Sequence, residues 1–265
     1  MLVKDKQTYD TPLILAIDTS SKLTSIALSR TDKLLAIFGA QLDERRSARL
    51  WAEVEFLLGE AGVALKEIDL FATCTGPGGF TGLRVGIAAI KGFAQAAARS
   101  VIGVTSLEVA AFAVRPASRV CSMVNAYKGE VYSQMFTFDK DGVPIAESEA
   151  RAMASLSAAE SVAEFDDIVF AGDAVSGSLE AILQVDDSRF VSTEGRSIGL
   201  SGWIAKPTEG FLAGEIASLA FLKYKRGEAL EPEQLKACYI RQAEAEVKLS
   251  QGLLGTKIKK NIGLG

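Results

Sequence analysis

A glycine run broken by one proline, Gly76-Pro77-Gly78-Gly79, separates a β-type stretch from a long small-residue stretch, and it constrains this chain more than any other feature. Ile68 to Cys74 enters it, and Gly86 to Ala98 leaves it. Gly-Pro-Gly-Gly supplies the backbone freedom that a strand-to-helix turn requires. Thr81 is the expected N-cap of the helix. On a wheel of about 100° per residue, Gly82, Val85, Gly86, Ala89, Phe93 and Ala96 share one side, and Arg84, Lys91 and Gln95 form a polar stripe opposite. A helix that is apolar around most of its circumference is covered on more than one side. Helical glycines cost about 1 kcal/mol each relative to Ala, so close backbone packing is expected to justify them.

Two readings of the loop compete. Glycine loops at helix N-termini bind anions, which makes a phosphate cradle. The run lacks the Gly-Lys-Ser/Thr ending of a P-loop, however, and its spacing is not the dinucleotide fingerprint. The other reading is a tight turn feeding a close-packed helix. Spacing favours the turn and leaves the cradle open.

Composition removes several function classes. The 265 residues, 48% hydrophobic and 23% charged, fit one large or two small globular domains. A net charge of −4 argues against broad, sequence-independent nucleic-acid binding. Met1 to Thr11 is polar and lysine-bearing, unlike a signal peptide, and no apolar run reaches membrane-spanning length. Cys74, Cys121 and Cys238 are odd in number and far apart, which suggests reduced thiols in a cytoplasmic protein. The chain contains no histidine. Ser-His-Asp and Cys-His nucleophile systems and histidine-ligated metals are therefore excluded. Any hydrolase reading must use carboxylates, lysine or a cofactor.

Taken in order, the chain opens with a tail, residues 1–11. Strands at Leu13–Ile17, Thr24–Ser29 and Leu34–Ala40 read as an antiparallel meander. Glu44 to Ala61 reads as a helix with an apolar stripe of Leu50, Trp51, Val54, Leu57, Leu58 and Ala61. Phe56 points away from that stripe, as a lone exposed aromatic or part of a partner surface. A strand at Val101–Val104 and a helix from Ser106 to Val114 complete the first half, 12–116. Ser106 with Glu108 starts that helix, without capping-box spacing.

Arg115-Pro116 marks the boundary with a second half, 117–245. There Val120–Asn125 and Glu130–Phe138 form a hairpin around Tyr127-Lys128-Gly129, followed by a strand near Pro144–Ser148. Helices at Ser155–Glu164, Ser178–Leu183 and Glu215–Tyr224 flank a strand at Ile168–Ala171. Arg196 to Gly210 reads as irregular, and 246–265 as a flexible basic tail, solvated or touching RNA. The two halves suggest a duplicated α/β plan with the second reduced.

These residues carry a family likeness. Ile14-Leu15-Ala16-Ile17-Asp18-Thr19-Ser20-Ser21 with Ser25-Ile26-Ala27-Leu28 resembles the opening of the TsaB (YeaZ) proteins. Gly76 to Ala96, GPGGFTGLRVGIAAIKGFAQA, is similar to that family's central signature. Ile102-Gly103-Val104-Thr105-Ser106-Leu107, the hairpin Asn125 to Tyr132 and Tyr239-Ile240-Arg241 match further segments. The likeness is good over 13–132 and loose beyond. It departs where Asn125 and Tyr127 replace the usual Asp and Arg, where Ser47 stands in place of a frequent histidine, and at Arg196–Gly210.

The resemblance implies an actin-like (ASKHA) α/β fold of two RNase H-like halves with mixed sheets. It implies a role in threonylcarbamoylation of adenosine 37 in tRNAs that read codons beginning with A, as a non-catalytic subunit. ATP and metal would then belong to the partner TsaD, with no cofactor in this chain. The ATPase TsaE would join through the complex, and tRNA would be met only indirectly. The helix after the glycine turn and the helix before it would pack on TsaD, or on a second copy when alone. The expected contact residues are Gly82, Arg84, Val85, Gly86, Ala89, Lys91, Phe93, Trp51 and Phe56. Asp18 sits where related kinases hold magnesium through water, and Gly172-Asp173 resembles a degenerate adenosine turn. Both read as remnants, since Thr19-Ser20-Ser21-Lys22 lacks a phosphate-clasping glycine. The alternative is an enzyme in its own right, an ATP-dependent actin-like phosphotransferase or a glycoprotease-type peptidase. A self-contained homodimer with a ligand between its halves is a third reading.

Overall fold

The computed structural model describes residues 10–41, 46–192 and 202–241, with backbone alone at 46–48 and 192. The expected tails (save Asp10, Thr11), the Ser47 side chain and 196–201 of the expected irregular stretch lie outside the described residues.

The first sheet contains β1 (Leu13–Asp18), β2 (Leu23–Arg30), β3 (Lys33–Gln41), β4 (Leu70–Gly76) and β5 (Ser100–Thr105), in the order β3-β2-β1-β4-β5. The first three strands form the antiparallel meander, and β4 and β5 continue it in parallel. Every residue of β1 and β4 is buried, which is why both read as unbroken apolar runs instead of alternating ones. Helices α1 (Arg46–Glu60) and α2 (Phe80–Ala97) cover one face, packing Leu57, Ile87, Ile90 and Phe93 on Leu15 and Ile17.

α3 (Ser106–Ala113) leads out of the first sheet, and its N-cap is Thr105, one residue earlier than expected. That puts Glu108 at the third helical position and makes a capping box. The Thr105 hydroxyl accepts from the Glu108 amide at 3.1 Å, and the Thr105 amide donates to the Glu108 carboxylate at 2.7 Å. α3 is apolar all round because it is buried on both sides. Val109 and Phe112 enter the first half's core, while Leu107, Ala110 and Ala111 enter the second's.

The second sheet contains β6 (Val120–Tyr127), β7 (Glu130–Phe138), β8 (Pro144–Ala146), β9 (Arg151–Ala154), β10 (Ile168–Gly172), β11 (Phe190–Ser192) and β12 (Trp203–Pro207). Its order is β11-β12-β10-β6-β7-β8, with β9 also on β7. The path β8-β7-β6-β10-β12 repeats β3-β2-β1-β4-β5 in order and in strand sense. This is the duplicated RNase H-like arrangement of an actin-like fold. The second half is reduced in element length, not strand number. Five of its strands have three to five residues. Its helices α4 (Ser155–Glu160) and α5 (Val175–Val185) are shorter than α1 and α2.

Three expectations are corrected. α2 begins at Phe80 with Gly79 as a side-chain-free N-cap, so Thr81 is already inside the helix. Part of Arg196–Gly210 is β12, whose Trp203, Ile204 and Ala205 are buried between β11 and β10, although flanking glycine and proline hid so short a strand. The second half also does not keep the whole of 117–245. α6 (Ala213–Lys225) returns to pack Ile216, Ala217, Leu219 and Ala220 on Ile14, Ala16 and Leu70 of the first sheet. Residues 230–241 then cross the same half.

Gly86 and Gly92, one and a half turns apart on α2, make opposite demands. A Cβ at Gly86 would drive into the Thr19 hydroxyl, whereas at Gly92 nothing lies within 4 Å. Gly86→Ala should destabilise by about 1–3 kcal/mol through overpacking. Gly92→Ala should stabilise by about 0.5–1 kcal/mol. Urea denaturation of the two variants checks both.

Candidate functional site

The first site is the junction of α2 with the end of β1. The Thr19 hydroxyl donates to the Gly82 carbonyl at 2.7 Å. A Cβ at Gly86 would also stand 3.2 Å from the Thr73 hydroxyl, which itself donates to the Ile17 carbonyl at 2.8 Å. The Gly79 amide donates to the Ser20 carbonyl at 2.8 Å, and a Cβ at Gly78 would lie 2.8 Å from that same oxygen. The glycine run is therefore a turn that lets two backbones touch. The Gly79 amide that a phosphate cradle would use is already donated, which corrects the anion-binding reading.

The faces of α2 differ from the expected wheel. Its polar stripe is covered by the chain's own C-terminal segment, residues 230–241. Arg84 lies over the Phe80 ring at 3.7 Å and donates to the Tyr239 hydroxyl at 3.2 Å. Lys91 donates to the Glu233 carbonyl at 3.4 Å, and Gln95 to the Glu233 carboxylate at 2.8 Å. The Cys238 amide donates to the Thr75 carbonyl at 2.8 Å, and Arg241 ion-pairs with Glu130 across the two halves. Arg84 and Lys91, expected at a partner's rim, thus hold this strap.

Of the remaining contact candidates, Gly82 and Gly86 face β1, and Phe93 is buried at 5% exposure. Val85 and Ala89 are half-buried. The open stripe is Ala88, Gly92 and Ala96. Beside it Trp51, 60% exposed, rests its ring 5.2 Å from Phe93. Phe56 is 57% exposed and sits edge-on to Phe38 at 6.1 Å, toward β3. The open face is rotated by about 60° from the expected one, at about 100° per residue. Ala88 and Gly92 were missed because their small size signals close packing without saying against what.

The second site is a cleft of about 480 Å³ between the halves, lined by Asp18, Ser20, Lys22, Tyr127, Asp173 and Glu209 among others. It brings the expected remnants together. Asp18, 3% exposed, accepts from the Ser20 amide at 2.9 Å and from the Ser20 hydroxyl at 2.7 Å, closing the turn after β1. Gly172 has φ +129° and presses against the Met123 backbone, so its identity is conformational. Asp173 accepts from the Asn125 amide at 2.8 Å, and Asn125 in turn accepts from the Tyr127 amide at 2.7 Å. Asn125 thereby preserves a side-chain acceptor at the hairpin where relatives carry Asp.

These residues do not fit the triphosphate that actin-like folds suggest. Asp18, Asp173 and Glu209 face Lys22, the phosphate-side turn Thr19–Lys22 has no glycine, and the Gly79 amide is engaged. We derive no chemical step through a nucleotide. Burial pushes the Cys74 thiol up, with Asp18 adding to it, and pushes Cys121 up to about 11, so both stay protonated.

Burial raises the Asp173 pKa and nearby Glu209 raises it further, against the lowering effect of the Asn125 amide. A carboxyl whose folded pKa is raised opposes folding once ionised, and that opposition is relieved as pH falls through the raised value. Asp173→Asn keeps the acceptor and removes the charge. It should raise the melting temperature at pH 7 by a few degrees, with the gain shrinking toward about pH 4. Melting curves across that range test it.

Comparison with known proteins gives the same family as the motifs. Residues 40–175 match the family model described as TsaD, tRNA N6-adenosine threonylcarbamoyltransferase. The chain is 34% identical over 133 residues to the tRNA threonylcarbamoyladenosine biosynthesis protein TsaB of Escherichia coli (strain K12), covering 49% of this chain and 57% of the relative. It is 32% identical over 131 residues to TsaB of Bacillus subtilis (strain 168), with the same coverages of 49% and 57%. The chain thus spans little more than half the length of the curated relatives it matches. A Pseudomonas aeruginosa crystal structure, described as an uncharacterized protein with similarity to peptidase YeaZ, superposes with a TM-score of 0.69 at 28% identity, covering 87% of this chain and all of that one. No helix among the described residues is long and apolar enough to cross a membrane. The matched domain, the glycine signature and the duplicated sheet agree: the chain has an actin-like fold, is similar to TsaB (YeaZ-type) proteins, and belongs to the TsaD-related family.

Proposed function

We propose that this chain acts in the cytoplasm as a non-catalytic TsaB subunit. It supports threonylcarbamoylation of adenosine 37 in tRNAs reading codons that begin with A, by binding a TsaD homologue. The observation that carries the reading is the open α1–α2 face. Trp51 stands 60% exposed over Phe93, beside a stripe of Ala88, Gly92 and Ala96 that offers no side chain to hold a partner helix away. Small residues let helix axes approach closely, and a desolvated Trp is a frequent energetic anchor. The absence of histidine supports a subunit that leaves the metal chemistry to TsaD. TsaE would join through that partner, tRNA would be met through the complex, and a second copy would compete for the same face.

The phosphotransferase alternative has the cleft in its favour and the cleft's carboxylates against it. Titration with Mg-ATP should release no heat; saturable binding at the Asp18 cleft would revive that reading.

The direct test is co-purification with the organism's TsaD homologue. Trp51→Glu and Gly92→Leu should each weaken the complex by more than about tenfold, roughly 1.4 kcal/mol, while remaining folded, with Gly92→Leu melting no lower than the wild type. Retention of the complex in both variants would remove the face from the interaction. Gly86→Leu is unsuited, because its side chain would enter this chain's own core.

A further inference from the structure

Residues 238–241 join the two halves beside the cleft. The Cys238 amide is bonded to the Thr75 carbonyl, on the first half just before the glycine turn. Three residues later Arg241 ion-pairs with Glu130, on the hairpin of the second half. Between them the Tyr239 ring lies 5.2 Å from that of Phe80 on α2, and Ile240 packs with the second half's cluster of Val120, Val124 and Phe136. Three residues span about 10–11 Å at full extension. This piece therefore limits how far Thr75 and Glu130 can separate while both of its ends stay attached.

The two ends are unequal. Upstream, the strap is fixed to the first half by Leu235, buried in that core, and by Glu233 with Lys91 and Gln95. The Val101 and Leu230 backbones add a pair of hydrogen bonds at 2.9 Å. Downstream there is a half-exposed ion pair, of the kind that water and salt weaken, and a half-buried Ile240. The downstream end is the weaker link.

The hairpin that receives this end is itself strained. Tyr127 and Lys128 have φ +61° and +57°, left-handed values that glycine or asparagine ordinarily supply in a hairpin turn. Tyr127 also sits where the β6–β7 register shifts. In that conformation its hydroxyl lies 3.6 Å from where a Gly79 Cβ would be, so the hairpin tip of one half meets the glycine turn of the other. Both residues line the cleft. Strain of this kind persists where surrounding contacts hold it, and it clusters at moving or binding parts.

We propose that Ile240 and Arg241 form a releasable latch on the cleft. Attached to the second half, they hold the Tyr127 hairpin against the Gly78-Gly79 turn. Released, they let the second half swing away about α3 and open the walls that carry Asp18, Asp173 and Glu209. α3 is buried in both cores and lines the cleft at Ser106 and Ala110, so the halves stay joined there. The strap keeps its place on α2 in both states. The latch is thus separate from the open stripe of Ala88, Gly92 and Ala96.

The test measures a distance across the cleft mouth in the full chain. Thr81→Cys on α2 and Ser176→Cys on α5, both exposed positions, carry nitroxide labels in a Cys238→Ser background, where Cys74 and Cys121 are buried. Electron–electron resonance should show one short distance. Glu130→Ala and Arg241→Ala should each raise the ratio of long to short distances by about tenfold or more, while the chain stays folded by melting. Glu130→Arg combined with Arg241→Glu should restore the short distance, a rescue that a merely structural role for either residue would not produce. Salt at about 1 M should lengthen the distance in the parent and leave Arg241→Ala unmoved. A distance that neither alanine variant changes would overturn the proposal, as would a charge exchange that fails to restore it. A longer distance with faster hydrogen exchange at the Leu230 amide would overturn it too, because the strap would then be leaving the first half instead of releasing its end.

Discussion

The rest of the structure depends on how closely α2 approaches the end of β1. The Thr19 hydroxyl reaches the Gly82 carbonyl, and Gly86 has no side chain to hold the helix off Thr19 and Thr73. The Gly78-Gly79 turn closes onto the Ser20 carbonyl. With α2 seated this low, Phe93 and Ile90 reach the core over β1, and Trp51 of α1 packs over Phe93 at the surface. One close contact therefore sets the depth of the helix, the position of the open stripe and the shape of the turn that borders the cleft.

The same contact occupies the turn that borders the cleft. The Gly79 amide is spent on Ser20, and Asp18 accepts from Ser20 as well. The cleft also holds the carboxylates of Asp18, Asp173 and Glu209, of which Asp173 accepts from the Asn125 amide. Elsewhere the helices leave apolar surface open, an exposed Trp beside small residues.

The C-terminal segment ties these features together. It crosses from α6 over the polar stripe of α2, bonds to Arg84, Lys91 and Gln95, and ends on Glu130 of the other half. Polar groups that look available on a helical wheel are thereby hydrogen-bonded within the chain, while the small-residue side of α2 stays exposed.

Much of this was legible in the sequence. The unbroken apolar runs of β1 and β4, the meander before α1, the glycine junction and the hairpin around Tyr127–Gly129 are local patterns, set by backbone sterics and by period. They specified a duplicated α/β plan, and the signature around Gly76–Ala96 carried the family resemblance that implied two RNase H-like halves. The residues Asp18, Gly172 and Asp173 could be named as remnants, and the structure gathers them into one cleft. Periodicity, however, gives the angle between residues on a helix and not the direction in which a neighbour lies. Which side of α2 the sheet would cover was decided by contacts such as Thr19 to Gly82, 63 residues apart, and that residues 230–241 would cover another side and α6 would return to the first half by contacts between segments more than a hundred residues apart. Local sequence fixed the elements and the turns that join them, while burial of distant apolar faces against one another decided which surface was left over to bind.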